Sequence, residues 1–180
     1  MQYEVVTAEA PLGEGPVWCP DGTLVITQIS PGGLRRIDPT SGKSETFVSF
    51  LGGGNSAQLA SDGGFVVCNN GCIDFTLFAD ALGLDATKIP YTPGPPGLQR
   101  VFPDGDVITL AHEGLQAPND LIVAADGTVY FGSWDGKIYA VKGSSKGSAK
   151  GWWSQFRQGP SRSGVMDASA NQSLYRFVGD

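Results

Sequence analysis

The sequence predicts an all-β fold of the β-propeller type, with about three blades present and the propeller therefore incomplete. Glycine (26 residues) and proline (12) make up 38 of the 180 residues, which is well above average usage and shows no collagen-like period. This content of turn-forming residues is typical of many short strands joined by tight turns. A repeated phrase and a repeated spacing support the same fold.

The repeated phrase is a short apolar strand, an Asp-Gly turn and a second apolar strand. It occurs as GPVWCPDGTLVITQIS at 15–30, SAQLASDGGFVVCNN at 56–70 and NDLIVAADGTVYFGS at 119–133. Two β-prone runs around a turn in which glycine can supply a positive φ predict a β-hairpin. Further strand-like pieces follow these hairpins: GGLRRIDPT at 32–40, LQRVFPDGDVITLAHE at 98–113 and GKIYAVKG at 136–143. Repeats of this kind are typical of propeller blades.

The spacing between the repeats is close to the length of a blade. Glu14 and Asn55 are 41 residues apart, whereas Asn55 and Asn119 are 64 apart. The excess of 23 matches an irregular segment, which we interpret as an insertion at about residues 74–97. The single candidate helix, around Leu77–Leu84, lies within it.

The chain changes character after Lys142. We assign residues 1–142 to the blades and residues 143–180 to a linker and an atypical tail. The linker, GSSKGSAKG, is rich in Ser, Gly and Lys. The tail has aromatic residues but no alternation until its last residues, SLYRFVGD.

Composition narrows the classes of function. With 41% hydrophobic residues and a net charge of −6, the chain has the profile of a soluble globular protein without the basic excess of nucleic-acid-binding proteins. The N-terminus does not resemble a secretory signal, and no run approaches the roughly 18 apolar residues of a membrane span. Cys19, Cys68 and Cys72 are too few for a disulfide framework. We therefore expect reduced cysteines and a cytoplasmic protein that binds neither nucleic acid nor membranes.

Three residues stand at or just before the first strand of a repeat: Glu14, Asn55 and Asn119. In a propeller, the innermost strands line a central channel, and the loops entering them surround one mouth. A carboxylate and two amide carbonyls converging there suit a hard cation such as Ca²⁺ or Mg²⁺ rather than a histidine or thiolate zinc site. For Asn55, after Gly52-Gly53-Gly54, we favour the simpler interpretation of a left-handed asparagine in a glycine-rich turn.

Two motifs carry a resemblance to a known family. LGEGPVW at 12–18, followed by APNDLIVAADGTVYFGS at 117–133, resembles the senescence marker protein, gluconolactonase and luciferin-regenerating enzyme family. The resemblance covers about residues 5–142. It implies a gluconolactonase-like propeller, six-bladed in the family, that hydrolyses sugar lactones and related esters with a divalent metal at the channel mouth.

The resemblance also implies roles for particular residues. Glu14 matches the metal-binding glutamate of the G-E-G-P-V-W motif. Asn119 matches an asparagine that contacts the substrate or the surroundings of the metal, and Asp120 lies beside it as a substrate-binding residue. We take Ca²⁺ as the first choice of cofactor, with Mg²⁺, Mn²⁺ and Zn²⁺ as alternatives, and a small lactone or sugar acid as the substrate.

Some family features do not occur in these 180 residues. In its second half, the family places a later asparagine ligand in an N-G motif and a catalytic aspartate in a P-D-G motif, and the tail after Lys142 shows neither. Asp167, in the tail, has no neighbouring motif that supports it as a substitute. Ala117 stands where some members carry an arginine. The catalytic residue is therefore unassigned.

A rival interpretation follows from the missing motifs. The chain would be a truncated, non-catalytic propeller fragment that binds a partner or associates with itself through open blade edges. His112, the only histidine, has no accompanying Ser or Cys nucleophile motif, so we expect it on the surface or packed in a loop.

Overall fold

The computed structural model describes residues 3–142 and consists of three antiparallel sheets, each a simple meander. Blades 1 and 2 have four strands each, and blade 3 has three within the described residues. The strands of blade 1 are β1 (Gly13–Trp18), β2 (Leu24–Gln28), β3 (Gly33–Ile37) and β4 (Ser44–Ser49). Those of blade 2 are β5 (Gly54–Leu59), β6 (Phe65–Asn69), β7 (Gly97–Val101) and β8 (Val107–Ala111). Blade 3 contains β9 (Asn119–Val123), β10 (Thr128–Gly132) and β11 (Ile138–Lys142). The predicted all-β fold with about three blades is confirmed.

The Asp-Gly turns explain why the strands pair as hairpins. In the first turn, the Cys19 N–H donates to the Thr23 carbonyl at 2.8 Å, and the Gly22 N–H donates back to Cys19 at 3.0 Å. Gly22 has a φ of +82°, a conformation that glycine adopts without steric cost. The Asp21 carboxylate accepts the Thr23 N–H at 3.0 Å and so fixes the turn. The same arrangement recurs at residues 60–64, 102–106 and 124–128.

The hydrophobic core lies between the blades. Strand β6 shows this most directly, because its side chains alternate between two clusters. Phe65 and Val67 pack with residues of blade 1, and Val66 and Cys68 pack with residues of blade 3. All four are almost fully buried. A strand buried on both faces reads as a continuous apolar run, and this explains the sequence FVVC.

The insertion connects β6 to β7 and contains only short helical turns. The structure has 3₁₀ turns at Phe75–Phe78 and Ala86–Lys88 around one α-helical turn, α1 (Ala79–Leu82). The helix expected around Leu77–Leu84 is therefore shorter than predicted. Gly83 ends it in the left-handed conformation, with a φ of +66°.

The insertion folds back onto the loops of blades 1 and 2. The Thr92 carbonyl accepts the Gly52 N–H at 2.8 Å, and the Ser30 hydroxyl donates to the Pro90 carbonyl. Gly94 donates to the Gly71 carbonyl at 3.2 Å. The insertion thus bridges two blades.

The structure bears on some of the sequence-based expectations and leaves others as predictions. Cys19, Cys68 and Cys72 are all free thiols, as expected. Within residues 3–142, no helix has the length and hydrophobicity needed to cross a bilayer. The cytoplasmic location stays a prediction. The linker, the tail and Asp167 lie outside the described residues.

One ion pair of blade 2 makes a testable contribution to stability. Arg100 is buried and donates to the Phe65 and Val101 carbonyls at 2.8 Å, and it also pairs with Asp62. The hydrogen bond from Arg100 lowers the pKa of Asp62 below its ordinary value. A carboxyl whose pKa is lower in the folded state stabilises the fold above its unfolded pKa and loses this effect as pH falls through the folded value.

We expect Asp62→Asn to lower the free energy of unfolding at pH 7 by about 1 kcal/mol, because the buried Arg100 guanidinium loses its anion. The effect is modest because the Asp62 side chain is 55% exposed and water screens the pair. The difference from the unmodified protein should shrink as pH falls below the ordinary carboxyl pKa of 3.8. Urea unfolding at several pH values measures it. Asp104→Asn is the matched control, since Asp104 holds the equivalent turn at 102–106 by accepting the Asp106 N–H. An equal, pH-independent loss in both variants would contradict the assignment.

Candidate functional site

The predicted site residues all lie where the inner strands begin. Glu14 is the second residue of β1, and Asn119 and Asp120 are the first two residues of β9. Asn55 is the second residue of β5. We call this end of the three sheets, where β1, β5 and β9 start, the rim. Glu14, Asn119 and Asp120 are exposed there, and Asn55 is half-buried.

Contacts between neighbouring blades show that these strand starts lie at one level. Strand β5 lies beside both β1 and β9. The Thr27 hydroxyl, opposite Glu14 in the β1–β2 ladder, donates to the Asn55 carbonyl at 3.2 Å. On the other side, the Cys68 Sγ lies 3.9 Å from the Asn119 carbonyl oxygen. Glu14, Asn55 and Asn119 therefore share the rim, as the repeat pattern predicted.

The glycines on either side of Glu14 are closely packed, and Gly15 faces the backbone of the neighbouring blade. A side chain at Gly13 would place its Cβ 2.8 Å from the Ile26 Cδ1. Gly15 has a φ of +46°, and its Cβ would lie 3.0 Å from the Cα of Ser56. The ladder is also irregular between Glu14 and Val17. Gly15 thus lets blade 1 approach the backbone of blade 2, while the exposed carboxylate of Glu14 stays at the rim. That carboxylate accepts the Gly15 N–H at 3.2 Å.

Backbone strain is concentrated at the rim. Four non-glycine residues in the described part of the chain have a positive φ: Leu12 (51°), Cys72 (75°), Ala117 (43°) and Asp120 (25°). Leu12 precedes β1, Cys72 follows β6, and the other two flank Asn119. Such conformations cost about 1–3 kcal/mol each and cluster at functional sites. The strain marks the rim as a candidate site independently of the motifs.

The thiol beneath Asn119 is not a nucleophile. Cys68 is fully buried, and burial raises the pKa of its thiol to about 12. The hydroxyl of Ser56 acts in the opposite direction, and the negative charge of Asp120 raises the pKa further. Cys68 therefore stays protonated at neutral pH and packs beneath the rim.

Asn55 corrects one expectation. It was expected in the left-handed conformation within a glycine-rich turn, but it belongs to β5 and has no positive φ. The glycines before it supply the unusual geometry instead, since Gly52 has a φ of +96°. His112 is exposed, in agreement with its expected surface position.

The oxygen atoms available at the rim are of the types that bind hard cations. Glu14 and Asp120 supply carboxylate oxygens, and Asn55 and Asn119 supply amide oxygens, which are the ligand types that Ca²⁺ takes. Among residues 3–142, no group of three or more His, Cys, Asp or Glu residues could hold a metal ion. A cation at the rim would therefore depend on the amide oxygens as well as the carboxylates.

The sequence analysis missed two features of the rim, the role of Asn69 and the backbone strain at Ala117 and Asp120. Asn69, at the end of β6, holds the loop before Asn55, although only the unusual Gly52-Gly53-Gly54 run hinted that a side chain packs there. The strained Ala117 and Asp120 had no sequence signature, because tertiary packing imposes their φ values.

Comparisons with known proteins agree with the fold. A family model described as the SMP-30/Gluconolactonase/LRE-like region matches residues 12–148. One similar solved structure, provisionally named a gluconolactonase, is 18% identical with a TM-score of 0.62 and aligns with 82% of this chain and 52% of its own. A gluconolactonase from Xanthomonas campestris is 20% identical with a TM-score of 0.50, and the match covers 71% of this chain and 37% of that one.

The chain spans about half the length, or less, of these solved structures. At this identity the likeness shows the fold alone, a propeller of the gluconolactonase type. No curated protein sequence matches the chain.

The packing at Glu14 generates a stability prediction. We expect Gly15→Ala to destabilise the protein more than Gly22→Ala, by about 1–3 kcal/mol, because the added methyl meets the backbone of blade 2. Both glycines have a positive φ, but a Cβ at Gly22 would have no atom within 4 Å. Gly22→Ala is thus a control for backbone strain without crowding. Denaturant unfolding measures both variants, and equal losses would refute the close contact.

Proposed function

Because the chain belongs to the SMP-30/gluconolactonase/LRE-like family, we propose that it takes part in divalent-metal-dependent hydrolysis of sugar lactones or related carboxylic esters. The observation that carries the proposal is the placement of Glu14 and Asn119 at one rim, within the segment that the family model matches. The local backbone strain supports it.

Glu14 and Asn119 are the residues that would hold the cation, and Ca²⁺ is our first choice. Both side chains are exposed, so a cation can reach them from solvent without moving them out of a buried environment. The rim offers oxygen donors, and the Cys68 thiol beneath Asn119 is buried and protonated, which favours Ca²⁺ or Mg²⁺ over Zn²⁺. When bound, such a cation would polarise the lactone carbonyl and lower the pKa of a coordinated water.

The neighbouring residues orient the substrate in this proposal. Asp120 is exposed next to Asn119, and a carboxylate can accept hydrogen bonds from the hydroxyl groups of a sugar. Asn119 offers both a donor and an acceptor in its side-chain amide. The bulge between Asn119 and Leu121 breaks the regular ladder with β10 at this point. None of the described residues is assigned as the catalytic base.

We expect purified protein to hydrolyse gluconolactone faster than the spontaneous rate only when Ca²⁺, Mg²⁺, Mn²⁺ or Zn²⁺ is added. Glu14→Gln should reduce this metal-dependent rate by roughly 10–100-fold or more, since even residues behind a metal ligand have effects of that size. The control is Glu45→Gln, an exposed glutamate on the outer strand β4. No metal-dependent rate, or equal losses in the two variants, would overturn the proposal.

Self-association is a second candidate, and a feature of blade 3 favours it. Within the described residues, β11 is hydrogen-bonded on one side only, to β10. Ile138 and Tyr130 lie on one face of this sheet and are 77% and 42% exposed. An open edge with an exposed apolar face can pair with another copy of the chain.

We expect light scattering after size-exclusion chromatography to give the mass of a dimer or larger assembly if blade 3 pairs with a second copy. Ile138→Lys should then return the monomer mass, because a charge on the paired face is costly to bury. Lys137→Ala, a change in the adjacent turn that adds no charge to that face, is the control. A monomer at all concentrations would exclude self-association.

A further inference from the structure

Asn69 makes four hydrogen bonds although it is completely buried. Its Nδ2 donates to the Leu51 carbonyl at 2.7 Å and to the Gln99 Oε1 at 3.3 Å. Its Oδ1 accepts the N–H of Gly53 at 3.0 Å and that of Gly71 at 2.9 Å. These bonds use both donors and both acceptor positions of the amide. A buried amide satisfied in this way is held in one orientation and fixes its partners in turn.

The glycine run opposite Asn69 leaves the space that the amides of Asn69 and Asn70 occupy. A Cβ at Gly52 would lie 2.1 Å from the Asn69 Oδ1, and one at Gly53 would lie 2.4 Å from the Asn70 Oδ1. Asn70 also donates its N–H to the Gly53 carbonyl at 2.8 Å. No other residue type fits at Gly52 and Gly53 without moving these amides.

The loop held by Asn69 leads directly to the rim. It continues from Gly53 into β5, where the Asn55 carbonyl accepts the Thr27 hydroxyl from blade 1. The next residue, Ser56, lies against Gly15, beside Glu14. A displacement of the loop would therefore move the surface on which the Glu14 segment rests.

Asn69 also holds the start of the insertion. Gly71, whose N–H it accepts, has a carbonyl that accepts the Gly94 N–H. Gly52, next to its partners Leu51 and Gly53, donates to the Thr92 carbonyl. One buried amide thus connects the insertion with the loop that leads to Asn55.

We propose that Asn69 is a positioning residue of the rim, which keeps the loop before Asn55, and through it the Glu14 segment, in place for cation binding. The effect on cation binding rests on the proposed function. The claim that Asn69 holds the loop rests on the hydrogen bonds alone. Asn69 reaches the rim through the backbone of other residues and is not itself a ligand.

The test compares Asn69→Ala with Gln58→Ala by NMR amide exchange and by Ca²⁺ titration calorimetry. Gln58 is also a buried amide and lies on β5, the strand that pairs with β6, which carries Asn69. It accepts the Val123 N–H at 2.7 Å, at the end of the strands away from the rim. Asn69→Ala should speed exchange at Gly53 and Gly71 by roughly tenfold and weaken Ca²⁺ binding by a similar factor. Gln58→Ala should speed exchange at Val123 and leave the rim and its Ca²⁺ affinity unchanged.

The readouts separate this inference from the proposed function. If the unmodified chain binds no Ca²⁺, the proposed function fails, and exchange at Gly53 and Gly71 alone decides whether Asn69 holds the loop. If Asn69→Ala does not fold, Gln99→Leu removes a single bond of the same amide and should speed exchange at those two glycines by a smaller factor. Unchanged exchange there, or equal effects of Gln58→Ala on the rim, overturns the inference.

Discussion

Neighbouring blades meet backbone to backbone where their inner strands begin, and this contact constrains the rest of the structure. A Cβ at Gly15 would lie 3.0 Å from the Cα of Ser56, and one at Gly54 would lie 3.0 Å from the Gly33 carbonyl oxygen. Glycine is the residue that permits such an approach. Because the blades cannot slide at these points, the starts of β1 and β5 stay level, and the hydrophobic clusters between the blades pack in one register.

The same constraint places the candidate site residues at one end of the sheets. Tight packing leaves Glu14, Asn119 and Asp120 exposed at the rim, while the thiol and amides beneath them are buried. Asn69 satisfies its whole hydrogen-bonding capacity in holding the loop and the insertion there. The Asp-Gly turns between the first two strands of each blade, and between β7 and β8, lie at the opposite ends of the sheets. A rigid scaffold with strained, exposed donors at one end is a suitable frame for a binding site.

Much of this arrangement could be predicted from the sequence, since it depends on local signals. The Asp-Gly turns and the apolar runs around them predicted the hairpins. The 41-residue separation of Glu14 and Asn55, close to the length of a blade, placed both at strand starts. Long-range contacts could not be predicted in this way. The insertion reaches blade 1 through Ser30 and Pro90, which are far apart in the sequence. Asn55 was misassigned to a turn because the geometry of the glycines depends on Asn69, which is distant from them in sequence.

The central claim is that one cation binds at the rim through Glu14 and Asn119. A crystal structure of the protein grown with Ca²⁺ tests it most directly, because anomalous scattering locates the ion without assumptions about activity. The account predicts an ion with a Glu14 carboxylate oxygen and the Asn119 Oδ1 at about 2.3–2.6 Å, the usual range for Ca²⁺–oxygen bonds. A rim without an ion at saturating Ca²⁺, or an ion bound elsewhere without these two residues, would contradict it.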